Sequence, residues 1–269
     1  MSYASIRTSV DDRGVATLEL ARPEKHNALN PEMIAELTTA AARLGADESV
    51  RVVVLRGLGS NQGSNAGGSF CAGGDLAWMQ AQFTATRQQR LREARALAEM
   101  LRALNELPKP LIGAVHGPAY GGGVGLMSVC DAVIAVDTAK FGLTETRLGL
   151  IPATIAPYVI ARLGEGRARR LVFSPRIWTA AEARDFGLVS VLTDDAGFEA
   201  ALAAEVTPYL SAAPQAVASA KALARALGPI IDDTVISATI ERLADMWEGA
   251  EAQEGVSAFL EKRKPWWVG

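Results

Sequence analysis

Two histidines and two cysteines are all the imidazole and thiol groups that 269 residues offer. His26 and His116 lie far apart in the chain, and Cys71 and Cys130 form no Cys-x-x-Cys pair, so neither a metal cluster nor a redox dithiol is expected. No histidine stands close to Cys71 in sequence to activate it, and no Ser/His/Asp or His-Glu-x-x-His arrangement occurs. Small buried thiols in a reducing compartment are the natural reading. A net charge of −3 gives no basic field to attract nucleic acid or an anionic membrane, and there is no basic patch interleaved with aromatics. No uninterrupted apolar span approaches the ~20 residues of a membrane helix. The first residues read as strand, turn and strand rather than a leader peptide, which points to the cytoplasm.

What is present is a globular composition, 49% hydrophobic and 21% charged, long enough for one sizeable core plus an appended element. Short β-rich runs (Ala4–Val10, Val15–Leu20, Val52–Arg56, Leu111–His116, Ala132–Val136, Leu188–Leu192) alternate with helical stretches, which predicts an α/β core. Asn30 and Pro31 open a helix whose Met33, Ile34, Leu37, Ala41 and Leu44 share one face. Asp75 stands at the N-cap of a helical stretch running through Leu107, and Thr179-Ala180-Ala181-Glu182 is a capping box. From about Ala196 the strands stop; Phe198, Leu202, Val206, Tyr209 and Ile236, Ile240, Leu243, Trp247 form helical stripes. Residues 1–195 thus read as the core and 196–269 as a helical region.

The chemistry lies in the glycines. His116-Gly117-Pro118-Ala119-Tyr120-Gly121-Gly122-Gly123-Val124-Gly125-Leu126 reads as strand end, tight turn and helix start, where backbone N–H groups stay unpaired. The spacing fails a dinucleotide fingerprint, because the position of the last glycine is Leu126, and it lacks the lysine of a phosphate-binding loop. A second such turn is Phe70-Cys71-Ala72-Gly73-Gly74-Asp75-Leu76. Two turns of this kind suit a pair of donors converging on one developing oxyanion.

With Arg22-Pro23-Glu24-Lys25-His26-Asn27-Ala28-Leu29-Asn30 and Phe141-Gly142-Leu143-Thr144-Glu145-Thr146-Arg147-Leu148-Gly149-Leu150-Ile151-Pro152, these segments make the chain resemble the enoyl-CoA hydratase/isomerase (crotonase) superfamily over nearly its whole length. The resemblance implies a spiral of ββα turns with a C-terminal helical region that builds trimers, often stacked as hexamers. It implies an acyl-CoA substrate, with coenzyme A part of that substrate and no separate cofactor. The oxyanion donors fall on Gly74 and Gly122, beside Gly121. Coenzyme A contacts fall on Lys25, Ala28, Ala72, Gly73, Asp75 and Leu76, with Phe259 and Lys262 reaching a neighbour's coenzyme. Glu145 is the general acid/base, with apolar neighbours that raise its pKa. The second glutamate of the family's hydratases falls on Gly125, which has no side chain.

Asp75-Leu76-Ala77-Trp78-Met79-Gln80, Gly125 and the segment from Gly149 to Val159 are similar to methylglutaconyl-CoA and isohexenylglutaconyl-CoA hydratases, implying hydration of a branched 2-enoyl-CoA. Trp78, Met79, Phe83, Ile155 and Tyr158 are candidate walls of the acyl pocket. One carboxylate also suits a 3-enoyl to 2-enoyl-CoA isomerase, and a non-catalytic coenzyme A- or RNA-binding scaffold is the alternative of another class. The Gly59–Gly68 loop, rich in Gly, Ser and Asn, reads as an insertion or a lid.

Overall fold

Continuous apolar runs become parallel strands covered on both faces. The computed structural model describes residues 3–59 and 68–269, so residues 60–67 of the expected lid or insertion lie outside the described residues. β1 (Ile6–Val10) and β2 (Val15–Leu20) form an antiparallel hairpin, its turn held by Asp11 Oδ1, which accepts the N–H groups of Arg13 at 3.0 Å and Val15 at 2.9 Å. β3 (Val52–Gly57) and β4 (Leu111–Val115) follow in parallel register. β5 (Ala119–Tyr120) leaves this sheet, whereas β6 (Ala132–Val136) returns to it beside β4. β7 (Lys140–Gly142) and β8 (Trp178–Thr179) join β5 in a second small sheet, and β9 (Val191–Thr193) closes the larger one in the order β1-β2-β3-β4-β6-β9. Every residue of β4 and β6 is buried, as expected of central parallel strands.

The helices cover these sheets. α1 (Pro31–Ala46) starts at Asn30, whose side chain accepts the Met33 N–H at 2.9 Å, and buries the expected face together with Ala40. The stretch expected as one helix from Asp75 to Leu107 is two: α2 (Leu76–Ala81) and α3 (Arg87–Asn105). Thr86 caps α3 by accepting the Gln89 N–H, and Arg90 reaches back to the Gln82 carbonyl, so a side chain satisfies the backbone where the first helix stops. α4 (Gly122–Val129), α5 (Ala156–Leu163), α6 (Glu165–Phe173) and α7 (Ala180–Phe186) follow, α7 with the reciprocal Thr179/Glu182 capping box. The strand expected from Leu188 begins only at Val191, because Gly187 takes φ +91° and the N–H groups of Leu188 and Val189 turn back to the Ala183 carbonyl.

After β9 the described chain is helical: α8 (Phe198–Leu210), α9 (Pro214–Ala226), α10 (Asp233–Glu248) and α11 (Ala250–Leu260). Phe198, Leu202 and Val206 of α8 enter the main core, while Ile236 and Ile240 of α10 pack on Ala94 and Ala98 of α3. α11 lies against the 145–148 turn so closely that a Cβ on Gly255 would collide with the Leu148 backbone. Among the described residues no helix is long and apolar enough to cross a membrane.

Candidate active site

The segment 22–29 is stitched to the turn 70–75. Gly73 accepts the Leu29 N–H at 2.7 Å, Asp75 donates to the Leu29 carbonyl at 2.9 Å, and Ala72 donates to the His26 carbonyl at 3.0 Å. Arg22 crosses beneath, pairing with Asp75 at 2.8 Å and donating to the Ala28 carbonyl at 2.6 Å. Asp75 also caps α2 through the N–H groups of Ala77 and Trp78, so its carboxylate is engaged within the protein and holds its proton less tightly than usual. With Leu29 paired to both flanking residues, the Gly74 N–H has no backbone acceptor among the described residues.

The triple glycine brings a second bare N–H to the same place. Gly122 is the first residue of α4, where an N–H has no partner within the helix. Each glycine answers a separate steric demand. Gly121 has φ +47°, and a Cβ there would sit 2.9 Å from Glu145 Oε1; one on Gly122 would come within 2.7 Å of Leu29; one on Gly123 would collide with the Cys71 carbonyl. A Cβ on Gly73 would lie 3.6 Å from the Gly122 nitrogen, so the two turns meet.

Glu145 begins the 3-10 turn after β7. The residue is half-buried, yet its Oε2 is fully buried and has no hydrogen-bond partner. Desolvation raises its pKa to about 7 against the opposing pull of its own and the Thr144 backbone. Arg147, its nearest charged neighbour in sequence, donates instead to the Pro175 carbonyl.

One cavity connects these groups, lined by Gly74, Gly122 and Glu145 together with Leu29, Trp78, Met79, Leu97, Leu150, Ile155 and Trp247. Gly125 is excluded from it: a Cβ there would lie 2.5 Å from Ile155 Cγ2, so that side chain fills the space a longer residue would need. Of the expected acyl-pocket walls, Trp78, Met79 and Ile155 line the cavity. Phe83 and Tyr158 do not; Phe83 packs edge-on against Trp247, and the buried Tyr158 hydroxyl donates to the Ala98 carbonyl. Three polar residues of the lining had no sequence signal: Gln82, Arg90 and Glu93. Glu93 accepts from Trp78 Nε1, from Gln82 Nε2 at 2.6 Å and from Gln89 Nε2 at 3.0 Å, which fixes the indole beside Gly74.

The remaining candidates do not line the cavity. Lys25 and Leu76 are exposed, Ala28 and Gly73 are buried under the stitched turn, and Ala72 is half-buried. Phe259, next to last in α11, is half-exposed, and Lys262 is exposed with φ +55°. Burial pushes the thiols of Cys71 and Cys130 up to about 12, which suppresses thiolate chemistry at Cys71 despite its place under the glycine turns.

A family model described as enoyl-CoA hydratase/isomerase matches residues 11–269. The chain is 33% identical over 268 residues to a 1,2-epoxyphenylacetyl-CoA isomerase of Escherichia coli, covering 96% of each. It is 31% identical over 266 residues to a crotonyl-CoA hydratase of Syntrophomonas wolfei, covering 98% of each. The crystal structure of an enoyl-CoA hydratase from Mycobacterium avium superposes with a TM-score of 0.83 at 30% identity, covering 99% of this chain and all of that one.

Proposed function

The chain belongs to the enoyl-CoA hydratase/isomerase family, and from that premise we propose that it hydrates a branched 2-enoyl-CoA thioester with a single carboxylate. The observation that carries this reading is the meeting of two bare N–H groups with a buried, unpartnered carboxylate in one largely apolar cavity. Gly74 and Gly122 donate to the thioester oxygen and stabilise the enolate that develops there; one such donor is worth roughly 10²–10³ in rate. Glu145 accepts a proton from water as the water oxygen bonds to the β-carbon. The same carboxyl then returns a proton to the α-carbon, so water adds across one face. A pKa near neutrality suits a group that must take and give a proton in one cycle.

On this reading the backbone of Ala28, Ala72, Gly73, Asp75 and Leu76 holds the pantetheine and adenine, and Lys25 offers a charge to a coenzyme A phosphate. On the same reading Phe259 and Lys262 reach the coenzyme of a neighbour in a homotrimer or a hexamer of two trimers. Coenzyme A enters as part of the substrate, and no further cofactor takes part. A cytoplasmic setting fits this soluble chemistry.

A specific observation favours a second reading, 3-enoyl to 2-enoyl-CoA isomerisation. Ile155 occupies the room a carboxylate at position 125 would need, and one carboxylate suffices to move a proton between carbons. Incubation with 2-enoyl- and 3-enoyl-CoA substrates, read by mass, separates the two: added water, or unchanged mass with a shifted double bond. Glu145→Gln is expected to abolish turnover while thioester binding persists; substantial residual turnover would remove the carboxylate from the mechanism.

A further inference from the structure

α3 lays a ladder of three charged side chains along one face, Arg87, Arg90 and Glu93. Two are saturated from within the protein. Arg87 receives Glu241, Asp245 and Glu248 of α10 at 2.6, 2.7 and 3.0 Å. Glu93 is held by Trp78, Gln82 and Gln89.

Arg90, between them, is not. Its Nε and Nη2 donate to the Gln82 carbonyl at 2.9 and 2.7 Å, with a longer contact of 3.5 Å from Nη2 to Phe83. Nη1 has no acceptor, and the guanidinium pairs with no carboxylate among the described residues. The group stacks over Trp247, 6.0 Å from the ring centroid, and lines the same cavity as Gly74, Gly122 and Glu145. A half-buried cation with an open pair of N–H bonds thus lines a cavity whose other polar side chains near it, Gln82 and Glu93, are already hydrogen-bonded to each other.

We propose that Arg90 reads the far end of the acyl chain and selects thioesters that end in a carboxylate. This rests on the reading above, because the bare N–H groups of Gly74 and Gly122 fix the thioester end of the cavity. An alkyl terminus brought against Arg90 would strip water from the two open N–H bonds and return nothing. A carboxylate accepts from Nη1 and neutralises the charge, and a charged acceptor makes the stronger hydrogen bond than a neutral carbonyl. Glu93 does not compete for Arg90, since its oxygens are already held by an indole and two amides.

The test compares matched 2-enoyl-CoA pairs of equal chain length, one ending in a methyl group and one in a carboxylate, over a series of lengths. At the best-fitting length, kcat/KM for the carboxylate member is expected to be about ten- to a hundredfold higher, the range of one charge-assisted hydrogen bond. In Arg90→Gln, which keeps a donor for the Gln82 carbonyl but carries no charge, the ratio falls towards one; Arg90→Lys retains part of it. A wild-type ratio at or below one at every length overturns the proposal. So does a ratio that survives Arg90→Gln, or an equal loss on both chains, which would assign Arg90 to coenzyme A. The ratio of Kd values for saturated acyl-CoA pairs tests Arg90 independently of turnover, so a failure of the hydration chemistry would leave its own, separate mark.

Discussion

A carboxylate kept buried and unpartnered weakens the fold it belongs to, and at Glu145 the penalty has a definite sign. Its folded-state pKa of about 7 lies above the ordinary 4.5, so the folded protein binds this proton more tightly than the unfolded chain. Stability from this residue is full below about pH 4.5 and is lost as pH rises towards 7, by about 3 kcal/mol at most. Denaturant titrations across that range are expected to show the decline in wild type and a flatter profile in Glu145→Gln; identical profiles would mean the carboxyl is not desolvated. Trp78 and Glu93 form a second residue-level unit. Glu93→Leu is expected to destabilise by roughly 1–3 kcal/mol and lower kcat/KM, with a smaller increment in a Trp78→Phe background because the indole N–H is already gone. Glu145 was legible through the family motif, since its own neighbours in sequence fit a surface glutamate paired with Arg147 equally well. Arg90 and Glu93 were not legible. Their spacing on α3 carries no signal of what packs against them, and only the approach of α2 and α10 makes that face a cavity wall.

At the scale of elements, the glycines were visible as turns, but the reason for each was not. Sequence spacing shows a run of residues lacking Cβ; only the fold shows that Gly122 faces Leu29 and Gly123 faces the Cys71 carbonyl. The same holds for Gly125. Its Cβ direction is blocked by Ile155, so Gly125→Glu is expected to lose roughly 1–3 kcal/mol or more without adding a working second carboxylate. Gly125→Glu/Ile155→Ala is expected to recover part of that loss, measured by thermal unfolding beside hydration rate; equal Tm values for the two variants would contradict the contact. The break between α2 and α3 escaped the sequence reading because residues 82–86 contain neither glycine nor proline. The signal was the N-cap threonine, Thr86, followed by a long helical run.

Over the whole molecule, the C-terminal helices serve the site from outside. α10 completes the cavity with Leu243, Ala244 and Trp247, and α11 lies against the turn that carries Glu145. Gly255→Val, far from Glu145 in sequence, is therefore expected to lower kcat by displacing that turn; unchanged kcat would show that α11 does not hold it. The α/β core and the helical C-terminal region were legible from alternation and stripes, since burial periodicity is local information. How α10 folds back onto α3 was not, because that contact joins segments distant in the chain. The most direct measurement is a crystal structure of Glu145→Gln with an unreacted 2-enoyl-CoA. The account predicts the thioester oxygen about 2.7–3.1 Å from both the Gly74 and Gly122 nitrogens, with the residue 145 side chain on the reacting carbons. A thioester oxygen that reaches neither nitrogen, or lies across the cavity from residue 145, would contradict it.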